Sequence, residues 1–151
     1  MEQTFNIVFD KCIMDNEFEK MPKYKGIYLF RLTIEKENSW DSKVIYIGRA
    51  DGNDGLSGRV KGDHEHLPGA RKLVDEAKKS GKNAFLTIAY SNEDETIANN
   101  IERIESALIF AVKPTLNDKQ TESFNFDKTI LNISGKKHYN LNSQITVSKK
   151  N

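Results

Sequence analysis

The sequence predicts a small α/β domain: a three-stranded, mostly antiparallel sheet flanked by helices. Three observations lead there. Gly26 to Ile34 and Val44 to Ile47 are rich in β-branched and aromatic residues, as strands are. Ala84 to Tyr90 returns to the same character. Ile97, Ile101, Ile104 and Leu108 recur at helical spacing, so one face of that segment belongs to a core. At 151 residues with 37% apolar content, the chain suits one core rather than two.

Taken in order, Thr4 to Phe9 is short and β-capable, and the stretch to Pro22 is irregular, so residues 1–23 read as an N-terminal extension. Residues 24–118 form the predicted domain. The polar segment Glu35 to Lys43 reads as the tip of a hairpin between the first two strands. Gly52, Gly55 and Gly58, mixed with Asp51, Asn53 and Asp54, mark a turn region open to unusual backbone conformations. A short helix from Gly58 would carry Arg59 towards His64. Pro68 suits the first turn of a further helix that stops at Gly81. Ser91 or Asn92 can cap the next helix, with Glu93, Asp94 and Glu95 in its first turn, and Pro114 ends it. Residues 119–151 are polar and asparagine-rich. They hold β-capable pieces at Thr129 to Ile133 and Gln144 to Val147, either an extra hairpin or a poorly ordered tail.

Composition narrows the function classes. No apolar run approaches a membrane span and the N-terminus lacks a secretory plan, so the expectation is a soluble, cytoplasmic protein without membrane contact. The one cysteine, Cys12, cannot form an internal disulfide and reads as packing; no Cys/His cluster has zinc-ligand spacing. A net charge of +1 is low for a protein that grips a polyanion by bulk electrostatics. Between Arg59 and Lys82, however, seven basic residues face four acidic ones, and Glu93, Asp94, Glu95 and Glu102 follow. That pattern fits either one basic surface or ordinary solvated helix faces.

The motifs that carry chemistry come in a fixed order: Gly26-Ile27-Tyr28, Tyr46-Ile47-Gly48, Arg59, His64, then Glu105 with Pro114 nine and Asn117 twelve residues later. This series resembles the GIY-YIG nucleases over about Gly26 to Asp118. The glutamate, proline and asparagine spacing is that of excision-repair incision domains. Two departures stand out. The signature words are separated by seventeen residues, more than is usual, and His64 falls one residue later after Arg59 than in relatives.

The resemblance implies an endonuclease that hydrolyses phosphodiester bonds in DNA, with RNA left open, using Mg2+ or Mn2+. It gives Glu105 the metal, Tyr28 the activation of water, Tyr46 and His64 assisting roles, and Arg59 the scissile phosphate. Arg49 would add a second phosphate contact, and Gly26, Gly48 and Asn117 would support the site. Read without the resemblance, Glu105 is a boundary carboxylate on the shoulder of the apolar stripe, and Glu102 lies further from it. The tyrosines read as core-edge residues, the arginines as exposed. His66 competes with His64 for the proton-relay role, and His138, in the tail, has no motif. Asn117 is either structural or part of the site. The rival function is a nucleic-acid-binding module or accessory domain that does not cut. Oligomeric state is open.

Overall fold

The computed structural model describes residues 1–136 and 141–150. Along the chain run β1 (Gln3–Val8), β2 (Lys11–Met14), a 3-10 turn at Phe18–Lys20, β3 (Gly26–Lys36), β4 (Ser39–Ala50), α1 (Gly55–Arg59), α2 (Leu67–Lys79), β5 (Asn83–Tyr90), α3 (Glu95–Asn99), α4 (Ile101–Val112), β6 (Thr129–Ser134) and β7 (Gln144–Val147). The fold is α/β, with two sheets and four α-helices among the described residues.

The main sheet has four strands, not three, in the order β2-β5-β3-β4, and every pairing is antiparallel. The added strand comes from the expected N-terminal extension: β2 pairs with β5, and Ile13 is buried opposite Ile88. The first strand of that extension, β1, joins a second sheet, β1-β6-β7, in which β1 runs parallel to β6. Phe5, Ile7 and Phe9 alternate into the core there, as a half-buried strand requires. The tail resolves as the hairpin alternative, β6 against β7, with Leu131, Ile133, Ile145 and Val147 buried. His138 lies outside the described residues.

Helix α4 packs on both sheets, and its predicted stripe of Ile104 and Leu108 shares one core cluster with Ile27, Leu29 and Ile47 on one side and Leu131 and Ile145 on the other. Cys12 packs against that cluster as a partly buried free thiol. The opposite face of the main sheet carries Tyr28, Phe30, Tyr46 and Ile88, covered by Leu56, Leu67, Ala70 and Val74 of α1 and α2. No helix among the described residues is long and apolar enough to cross a membrane.

Three local expectations change. The short helix lies earlier than expected, as α1 starts at Gly55 and ends at Arg59 instead of running from Gly58 towards His64. Glu35 to Lys43 is not a loop: β3 and β4 continue pairing to Lys36 and Ser39, leaving Glu37 and Asn38 as the turn. Thr33 joins the strands through hydroxyl bonds to Ser42 (2.9 Å) and Thr87 (3.1 Å), while Trp40 lies edge-on to Phe85. The polar composition belongs to an exposed strand pair. The helix cap is Asp94, not Ser91 or Asn92; its carboxylate accepts from the backbone N–H groups of Thr96 and Ile97. Asn100 then divides the predicted helix into α3 and α4. Lys113, in the left-handed conformation with φ 50°, closes α4 before Pro114.

Candidate active site

The register of β3 and β4 decides where the signature words meet. Gly26 pairs with Ala50, Tyr28 with Gly48 and Phe30 with Tyr46 in one unbroken register, and a bulge at Phe30/Arg31 then leaves Ile45 without a partner. With Ile45 and Tyr46 both turned to the α1/α2 face, the two phenols are diagonal neighbours, ring centres 6.1 Å apart. Tyr28 can cross the neighbouring strand because Gly48 has no side chain. Gly26 makes a similar space: a Cβ there would lie 2.7 Å from Ser91 Oγ, which accepts the Ile27 N–H.

This end of the sheet opens into a cleft of about 760 Å³ bounded by α1, α4 and residues 117–120. Tyr28, Tyr46, Arg49, Arg59, Glu105 and Asn117 all line it, so four elements and the loop after α4 deliver their motif residues to one hollow. His64 does not line the cleft. It is 3% exposed, enclosed by the rings of Tyr28, Phe30 and Tyr46. His66 is the histidine on the cleft wall, stacked on Tyr46 at 4.2 Å.

The hydrogen-bond network fixes the tautomer of His64. Its Nδ1 accepts the backbone N–H of His66 at 3.0 Å, so a neutral ring carries its proton on Nε2. Burial, with Arg59 nearby, pushes the His64 pKa down to about 4, which keeps the ring neutral. Nε2–H therefore donates to the Tyr28 hydroxyl, 2.7 Å away, and Tyr28 passes its own proton towards the Tyr46 oxygen. The chain of donors runs His64 to Tyr28 to Tyr46. Both phenols line the cleft, and Tyr46, 8% exposed against 0% for Tyr28, is the more accessible of the two. Burial raises both phenols above their ordinary range, Tyr28 strongly, and Arg59 is the largest opposing influence on Tyr46.

Glu105 sits where the helical period puts it, on the sheet side of α4 at 9% exposure. Burial pushes its carboxyl up to about 7. Arg49 opposes that shift through its charge and a backbone hydrogen bond, while Asp51 and Glu102 reinforce it. Arg49 Nη1 stands 3.8 Å from Glu105 and 3.9 Å from Glu102, and Arg49 Nε lies 3.4 Å from Asp51. Arg59, at the end of α1, pairs with Glu65 at 3.1 Å. Asn117 is structural as well as cleft-lining: its side chain donates to Ile47 O and accepts from Ile47 N, both at 2.9 Å, like one more strand residue on the edge of β4.

Among the described residues no group of three or more His, Cys, Asp or Glu side chains is arranged to hold a metal ion. A magnesium ion that keeps its waters needs only one or two carboxylates. Glu105 meets that requirement, because the same burial and acidic neighbours that disfavour its charge would be relieved by a cation beside it. Sequence reasoning missed Glu65 and Asp51. Both lie in irregular segments where no periodicity shows which way a side chain points.

Compared with protein-family models, curated proteins and solved structures, the chain matches none.

Proposed function

We propose that this chain is a divalent-metal-dependent endonuclease of the GIY-YIG type, hydrolysing phosphodiester bonds in DNA at a single site. The observation that carries the reading is the shared cleft: two phenols, two guanidiniums and one buried carboxylate converge on a hollow with room for a phosphodiester. Hydrolysis needs a base for the water proton and positive charge where the phosphoryl group becomes more negative.

Arg59 supplies that charge on one wall, and its guanidinium suits a phosphate through parallel hydrogen bonds. Tyr46, rather than Tyr28, is the better placed base, because it is the more accessible of the two and accepts from Tyr28, which is itself backed by the His64 donor. A phenol must ionise to act, and here burial opposes ionisation. Arg59 and the incoming metal charge favour it. Glu105 would hold Mg2+ or Mn2+, which supplies Lewis-acid stabilisation of the phosphoryl oxygens and the leaving oxygen. Arg49 orients Glu105 and adds cationic character to that wall.

A non-cleaving DNA-binding module is the second reading. It is favoured by the strongly raised Tyr28 phenol and by the carboxylates that already face both arginines. Incubating supercoiled plasmid with the protein in magnesium, manganese or EDTA separates the two. The nuclease reading expects metal-dependent nicks, lost in Glu105→Ala and Arg59→Ala variants that still fold. Full cleavage by both variants, or DNA binding with no product in either metal, overturns it.

A further inference from the structure

Arg59 Nη2 donates to Glu65 Oε1 at 3.1 Å, and His66 Nε2 lies 3.8 Å from the same oxygen, close by but beyond hydrogen-bond length. We infer that Arg59 and His66 form a phosphate subsite which Glu65 fills in the free protein, making His66 a substrate-contacting residue and Glu65 a tethered competitor. The inference deepens the nuclease reading and rests on it for the identity of the phosphate, a DNA backbone group.

The two sides of this contact are held very differently. His66 is fixed: its ring stacks on Tyr46 with planes 27° apart, and its backbone N–H is bonded to His64 Nδ1. The Glu65 side chain is 69% exposed, so little packing holds it over the cleft. Carboxylate and phosphate oxygens accept from the same nitrogen donors in similar geometry. The position of Glu65 Oε1 therefore marks a place for a non-bridging phosphate oxygen, and a phosphate arriving there displaces a surface carboxylate without disturbing the donors. The same arrangement keeps Arg59 from presenting free positive charge before substrate arrives, in keeping with the low net charge.

The test is inorganic phosphate titrated into isotope-labelled protein, followed by the imidazole signals of His66 and His64, with duplex DNA binding measured in EDTA alongside. Saturable shifts are expected at His66. Glu65→Gln and Glu65→Ala should each tighten phosphate and DNA by about tenfold, the scale of one charge-assisted hydrogen bond released. His66→Phe, which keeps a ring on Tyr46 but loses the donor, should weaken phosphate and raise KM for cleavage more than it lowers kcat. Unchanged or weaker binding in both Glu65 variants overturns the inference, as does phosphate binding indifferent to His66→Phe. If wild-type protein cuts DNA and the Glu65 variants gain nothing, the inference alone fails. If phosphate binds at this subsite but no metal supports cleavage, the nuclease reading fails and the subsite stands.

Discussion

Gly48 lies directly under the Tyr28 ring. The two are register partners on β4 and β3, and a Cβ built on Gly48 would overlap Tyr28 Cζ and Oη and lie 2.8 Å from Cε2. The third residue of the second signature word thus exists to let the third residue of the first reach across it. Because Tyr28 is wholly enclosed, the ring has nowhere to retreat. Gly48→Ala should cost about 1–3 kcal/mol by overpacking and break the Tyr28 to His64 bond. DNA cleavage should fall by roughly a hundredfold or more, the scale of a lost acid–base group. A urea melt and a plasmid assay read the two effects; an alanine variant with wild-type stability and rate would show that Tyr28 does not need this path.

The donor chain makes a prediction about side-chain chemistry at position 64. His64→Gln can still offer an N–H towards Tyr28, whereas His64→Leu leaves the buried phenol oxygen without its donor. Cleavage should survive in the glutamine variant within about tenfold and drop by at least roughly a hundredfold in the leucine variant. Equal loss in both would mean that the ring's shape, not its proton, is what the site uses.

His64 also sets an acid limit on stability. Its ordinary pKa of 6.5 applies in the unfolded chain, and burial holds it at about 4 in the folded one. Above 6.5 the ring is neutral in both states and contributes no pH dependence. As pH falls from 6.5 towards 4, only the unfolded chain takes the proton, so stability is lost across that window. The loss attributable to this residue is on the order of 1–3 kcal/mol. Urea midpoints at pH 7.5, 5.5 and 4.5 should fall further in wild type than in His64→Gln. Parallel curves would place the acid sensitivity elsewhere.

What the sequence made legible follows from range. The stripe Ile97, Ile101, Ile104 and Leu108 and the strands around Gly26 and Ala84 depend on local periodicity, and they lie where it puts them. The second sheet depends on partners such as Asn6 and Asn132, 126 positions apart, which no local pattern links. The polar run from Glu35 to Lys43 misled because strands exposed to water share their composition with loops. At the site, motif order brought Tyr28, Tyr46, Arg59 and Glu105 into consideration, but not their division of labour. Which phenol is the more exposed depends on how α1, α2 and their loops cover that face, and which histidine lines the cleft depends on the irregular stretch after α1.

Asn117 tests whether the cleft wall must be tied to the sheet. Its two hydrogen bonds to Ile47, with the Leu116 N–H bonded to Ile45 O, seal the edge of β4 beside Tyr46. Asn117→Ala leaves that edge unpaired at Ile47 and should cost about 1–3 kcal/mol. Asn117→Asp keeps the acceptor but loses the donor, so it should fall between. Hydrogen exchange at the Ile47 amide is the direct readout: protection should drop in the alanine variant and persist in the aspartate one. Unchanged protection in Asn117→Ala would mean that the strand edge is held by other contacts.

Glu105 offers a test of the metal assignment that does not depend on turnover. Its carboxyl is held at about 7 against an ordinary 4.5, so the folded chain keeps a proton that the unfolded one has lost. Its contribution to stability is fully present below 4.5 and is lost as pH rises through about 7, a difference on the order of 3 kcal/mol. Glu105→Gln removes this term, and Arg49 keeps Asp51 and Glu102 as partners. The glutamine variant should therefore gain stability relative to wild type between pH 5 and 8 in metal-free buffer. Adding magnesium or manganese at pH 8 should raise the melting temperature of wild type, because an ion bound only by the folded state stabilises it by mass action. The same addition should leave Glu105→Gln unmoved. Equal metal-induced shifts in both proteins would remove Glu105 from the metal site, whatever the plasmid assay showed.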